Sequence, residues 1–169
     1  MTITALPDHA RVWVFGATER LTDTQRTALD AHLSTFIRSW AAHGSQLLAA
    51  HDIVLDRFLV IAVDESLRGA SGCSIDAMTR RLGELERELD VKLLDGALVW
   101  YRGRSGDIVS CERSEFKNRS EQGEIDAATR VFDPTIQTLG ALRGGEFERP
   151  AGESWHAGLL SSTEAAGPF

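Results

Sequence analysis

Residues 69–76 read GASGCSID, placing two glycines, two serines and a cysteine directly ahead of an amphipathic run. Glycine lets a backbone come close to a ligand and adopt positive φ. A helix starting here would also present unpaired N–H groups and a partial positive charge. Gly69, Ser71, Gly72, Ser74 and Asp76 are therefore candidate contacts for a small anionic ligand, a phosphate or a carboxylate. Cys73 falls at the first turn of that helix, where a thiolate is stabilised, and is a candidate nucleophile or redox thiol with His43 as its base. Asp64, Glu65 and Asp76 oppose both ideas, because carboxylates repel an anion and raise a thiol pKa. The same residue types also suit an ordinary strand-to-helix turn with a serine cap. No two histidines have metal-ligand spacing, and two cysteines are too few for a zinc site, so no metal or cofactor is expected. No G-x-x-x-x-G-K-[ST] loop occurs, so nucleotide hydrolysis has no phosphate cradle.

The flanking patterns say what must hold these residues. RVWVF (11–15) reads as a buried strand after a loose tail of about seven residues. Leu29, Leu33, Phe36, Ile37 and Trp40 then recur at helical spacing, with Thr22 and Gln25 as a capping box and Gly44 as the left-handed residue ending the helix. On that reading His43 is a cation at the helix C-terminus. LLAAHDIVL (47–55) and RFLVIAV (57–63) read as strands joined by a short turn at Asp56, the second buried on both faces. Ile75, Met78, Leu82, Leu85 and Leu89 mark a second helix, and GALVWYR (96–102) a further strand.

Strand, helix, strand, strand, helix, strand is the α+β, ferredoxin-like split βαβ order, βαββαβ. In that fold the first and third strands are the inner pair, and the end of the first helix shares an edge with the loop at 69–76. That edge would bring His43, Gly44 and Arg11 near the loop. The expected organisation is a core over 8–102, a C-terminal extension over 103–160 packing on it, and a disordered tail over 161–169. In the extension, DIVSCE and TRVF read as short strands, and RSEFKNRSEQG as a short helix stopped by Gly123. Phe116, Val131, Phe132, Ile136 and Trp155 are its candidate cover for the open sheet face. A homodimer is the other way to bury that face.

A chain of 169 residues, 43% hydrophobic, can bury one core with a small appendage. The start has no basic segment followed by a long apolar one, and no apolar run approaches the ~20 residues that cross a bilayer. A soluble, cytoplasmic protein with reduced thiols is expected. A formal net charge of −7 argues against nucleic acid as a partner. Arg102, Arg104, Arg113, Lys117 and Arg119 are interleaved with Asp107, Glu112 and Glu115, the pattern of a solvated face more than of a basic patch.

The pair His43-Gly44, RFLVIAVDES (57–66), GASGCSID and ESWH (153–156) together resemble a family of small bacterial cytosolic proteins with an SGCSID motif, often labelled ABC transporter ATPases. The resemblance implies a shared fold and a cytosolic location, and brings no catalytic residues. SGCS is also similar to the serine-glycine signature of ABC ATPases, but without a Walker A loop it implies no ATPase. Residues 101–132 are similar to GYF-type peptide-binding modules in their order of strand, turn, short helix, Gly-x-Ile corner and Thr-x-Val-aromatic. They lack the aromatic-rich motif of that groove. The readings left open are thus a small-molecule or anion-binding module, a cysteine-dependent enzyme, and an assembly module acting through the open sheet face or residues 101–132.

Overall fold

β-Branched and aromatic residues at 11–16 form β1 (Arg11–Gly16) in the computed structural model, which describes residues 2–161. α1 (Asp23–Ser39) opens on the expected box: Thr22 Oγ1 accepts from the Gln25 N–H at 3.2 Å, and the Thr22 N–H donates to Gln25 Oε1 at 3.0 Å. The helix ends at Ser39 rather than at Gly44, because Trp40 is already extended. His43 (φ 49°) and Gly44 (φ 77°) instead form the two-residue turn between β2 (Ala41–Ala42) and β3 (Ser45–Gln46). Two successive positive φ values match the twist of a tight hairpin. His43 is therefore a hairpin residue, not a helix-terminal cation.

β4 (Leu48–Val54) and β5 (Phe58–Asp64) flank a three-residue turn, 55–57, in which Leu55 and Asp56 both have positive φ. Phe58 through Val63 are all buried, as expected for a strand covered on both faces. α2 (Gly72–Leu89) follows, and its Met78, Leu82 and Leu85 pack with Leu29, Leu33, Leu59, Ile61 and Val63 in one apolar cluster.

The sheet is antiparallel in the order β1-β5-β4, with Trp13 and His51 both opposite Ile61. The ferredoxin-like order requires a fourth strand beside β1, drawn from 96–102. That segment, as β6 (Leu98–Arg102), lies in another sheet. It pairs along its whole length with β7 (Ile108–Glu112) across a short turn. A local hairpin closes at less entropic cost than a return across the length of α2. β1 is accordingly an edge strand rather than one of an inner pair.

The chain divides into two units, Met1–Gly96 with Pro134–Phe147 and Ala97–Asp133 with Glu148–Phe169. The boundary thus falls at 96/97, not at 102/103, and the segment 134–147 returns to the first unit. There α4 (Leu139–Arg143) ties down the chain start: Arg143 donates to the carbonyls of Ile3, Thr4 and Leu6 and pairs with Asp8. Ile3 and Leu6 are buried, so residues expected to be a loose tail are structural. Phe147 meets Phe58 edge-on, with ring centroids 4.9 Å apart.

The second unit is a four-stranded antiparallel sheet, β7-β6-β8-β9, with β8 at Arg130–Phe132 and β9 at Glu148–Pro150. α3 (Arg113–Glu121) places Phe116 against Tyr101 at 5.5 Å, in a core with Val99, Ile125, Val131 and Ala151. Phe116, Val131 and Trp155, expected as cover for the first sheet, belong to this unit. Among the residues named as cover, only Ile136 belongs to the first. All but the first residue of the expected 161–169 tail lies outside the described residues. No helix among the described residues is long and apolar enough to cross a membrane.

Candidate functional site

The loop at 69–76 uses most of its polar groups on itself. Ser71 Oγ accepts from the Ser74 N–H at 3.2 Å, while the Ser71 N–H donates to Ser74 Oγ at 2.8 Å. The Ser74 hydroxyl donates to the Ser71 carbonyl at 2.8 Å and is buried. The Ala70 N–H donates to Glu65 Oε1 at 2.9 Å, so a carboxylate of the chain itself occupies an anion position at this turn. A Cβ at Gly69 would lie 3.4 Å from that oxygen, an ordinary contact. Gly72, Cys73 and Asp76 are exposed, as is His43. No hydrogen bond among the described residues joins Cys73 to His43.

The expected shared edge is present. Trp40, at the end of α1, donates its Nε1–H to the Ser74 carbonyl at 2.8 Å. Trp40 also meets Trp13 of β1 edge-on at 6.3 Å. Arg11 lies by the loop as expected, with Nη1 3.8 Å from Glu65 Oε1. That separation is too long for a hydrogen bond. The guanidinium lies 4.6 Å from the Trp13 ring centroid and makes no hydrogen bond among the described residues.

Arg11 borders a cleft of about 470 Å³ that the sequence alone did not reveal. One wall is β1 from Arg11 to Phe15, the other is Pro134–Thr138, and His9 and Glu65 complete the rim. The volume is in the range of small-ligand pockets. The pairing of β1 explains the opening. The Ala17 N–H donates to the Arg57 carbonyl on the β5 side, so odd-numbered residues bond inward and even-numbered ones outward. On the outward side the Val12 N–H donates to the Gln137 carbonyl at 3.0 Å, and the Ala10 carbonyl accepts from the Leu139 N–H at 2.9 Å. The next outward residue, Val14, has no backbone partner there among the described residues, and it lines the cleft.

His9, Ser66 and Asp64 meet at the same rim, but not as a nucleophile relay. His9 Nε2 is 2.8 Å from Ser66 Oγ and 3.3 Å from Asp64 Oδ1, so one ring nitrogen faces both partners. The Ser66 hydroxyl donates to Asp64 Oδ1 at 2.5 Å, which leaves His9 Nε2 to donate and not to abstract. These bonds from Ser66, with His9 beside them, hold the Asp64 carboxyl below its usual range.

In the second unit a concavity of about 420 Å³ is bordered by Tyr101, Arg102, Arg104 and Arg119. Glu148 takes Arg102 through two bonds, at 2.6 and 3.0 Å. Glu115 at 2.7 Å and the Tyr101 hydroxyl at 2.8 Å occupy Arg119. Of the five basic residues at 102–119, Arg102 and Arg119 are thus paired within the unit. Among the described residues no His, Cys, Asp and Glu cluster suits a metal ion.

A further polar cluster in this unit escaped the sequence reading. Asp133 accepts from Trp155 Nε1–H at 3.1 Å and from Arg149 at 3.3 Å. Trp155 stacks on fully buried His156 at 3.8 Å. His156 Nδ1 is 2.8 Å from Ser154 Oγ, while its Nε2 has no hydrogen-bond partner. Burial pushes the His156 pKa down to about 4.

No family model, curated protein or solved structure matches this chain.

Proposed function

We propose that the first unit is a binding module for a carboxylate-bearing ligand, held in the cleft between β1 and residues 134–138. The observation behind this reading is an arginine at a concave site, Arg11, whose nearest carboxylate stands off at 3.8 Å and which donates no hydrogen bond among the described residues. A guanidinium offers a planar pair of donors that matches a carboxylate. The ring of Trp13 at 4.6 Å steadies the side chain without using those donors. The loop at 69–76 then has a supporting role. The Ala70 N–H holds Glu65, and the box of Ser71 and Ser74 fixes the start of α2. Gly72, Cys73 and Asp76 are its exposed margin.

Titration of the protein with N-acetylglycine, followed by NMR of the arginine side chains and of backbone amides, tests this. The Arg11 Nε–H and the amides of residues 11–15 and 65 should shift, saturably. N-acetylglycine amide should leave them unmoved, and Arg11→Gln should abolish the response while retaining the fold. Equal shifts with the amide, or shifts that survive Arg11→Gln, would remove the reading.

A further inference from the structure

We propose that the carboxylate received in this cleft is the C-terminus of a peptide, which adds to β1 as a short antiparallel strand. The inference rests on the binding role assigned above to Arg11 and goes on to name the ligand. Its basis is the open position at Val14. An outward N–H and C=O in mid-strand, without backbone partners among the described residues, call for another backbone, which supplies the matching acceptor and donor.

The direction follows from what is already paired. Gln137 bonds Val12, so a strand added along Val14 must stop before reaching Val12, and a chain end falls there. Run antiparallel to β1, in line with residues 137–139, the added strand directs its carboxyl end toward Arg11. Run parallel, it would bring an ammonium to a guanidinium, which repels it. Glu65 is the alternative partner for an ammonium, but the Arg11 guanidinium already stands 3.8 Å from its Oε1 and repels a second cation there.

Charge selects between occupants. Residues 134–138 line the far side of the cleft, and Arg11 complements a carboxylate, which a chain terminus supplies and the middle of a second copy's strand does not. Side chains of the added strand would alternate between the face of Trp13 and Phe15 and the face of Val12 and Val14.

The test is a display library of random hexapeptides with free carboxyl ends, selected on the intact protein. Enriched sequences are then resynthesised as acids and as C-terminal amides. The acid forms should bind at least tenfold more tightly than the amides, and Arg11→Gln should erase that difference. By hydrogen exchange, the Val14 amide should exchange quickly in the free protein, despite its place in mid-strand, and at least tenfold more slowly with bound peptide. A peptide N-methylated at the residue opposite Val14 should bind at least tenfold more weakly. Binding of N-acetylglycine without enrichment of any peptide would overturn this inference and leave the binding site standing; failure of both would remove the two together. Peptide binding that leaves Val14 exchange unchanged would overturn strand addition. So would a Val14 amide already protected in the free protein at concentrations where sedimentation finds a dimer, since the edge would then belong to a second copy.

Discussion

The start of α2 and the cluster around His156 are both polar, and they are built in opposite ways. At α2 the bonds of the cap span three residues, from Ser71 to Ser74, and each hydroxyl answers the other's backbone N–H. In the second unit Asp133 holds Trp155 and Arg149 across 22 and 16 residues, and at its end a fully buried imidazole nitrogen lacks a partner. The local cluster is satisfied and adjoins solvent. The long-range one is buried at Asp133 and His156, and incomplete. Local polar bonds are inexpensive to form, whereas an unpaired group in the interior makes stability depend on its protonation.

That contrast is broken most directly by acid. Neutral His156 is favoured in the folded unit, with a pKa of about 4 against an ordinary 6.5. Its contribution is therefore complete above pH 6.5 and is lost as pH falls toward 4, by about 3 kcal/mol in all. Urea unfolding of the second unit at pH 7.5 and 5 should show the decline, and His156→Leu should flatten it. An unchanged slope in the variant would place the acid sensitivity elsewhere.

The link from α1 to the cap should have the next largest effect. Trp40→Phe removes the Nε1–H bond to the Ser74 carbonyl in a buried setting, at a cost of about 2 kcal/mol by denaturant midpoint. Ser71→Ala should cost about 1 kcal/mol. Ser71→Ala with Ser74→Ala should cost less than the sum of the two, because each completes the other's box. Additive losses would mean the two caps act independently.

Cys73 sharpens the contrast at the lower end. Being exposed, it should be alkylated faster than Cys111, whose thiol burial pushes up, and Cys73→Ser should change stability by less than about 0.5 kcal/mol. Mass spectrometry after brief iodoacetamide treatment measures the first. Equal rates would contradict it. A fast Cys73 rate that is lost in His43→Ala would favour the cysteine-dependent reading over a structural turn.

Much of the fold was legible because its signals are short in range. The Thr22–Gln25 box, the apolar stripes of α1 and α2, and the all-buried character of β5 depend on neighbours three or four residues away or on composition alone. His43-Gly44 was misassigned by the same logic, since a left-handed glycine ends helices and turns hairpins alike. For the site, the nearness of Arg11 to the loop was legible from the order of elements. The cleft was not, because it depends on residues 134–138 running beside β1, more than a hundred positions later in the chain.

The sequence by itself determined the two long helices with their N-terminal caps, the main strands, and the positions where glycine, serine and cysteine gather, because these follow from backbone geometry and burial period. Tertiary structure decided their allegiance. The strand at 98–102 pairs with its own hairpin partner and leaves β1 at an edge; residues 134–147 return to the first unit; Glu65 takes the amide where an outside anion was expected. Each of these is a competition for hydrogen bonds between near and distant partners. Only the folded chain shows which partner won, and which backbone group, at Val14, was left over.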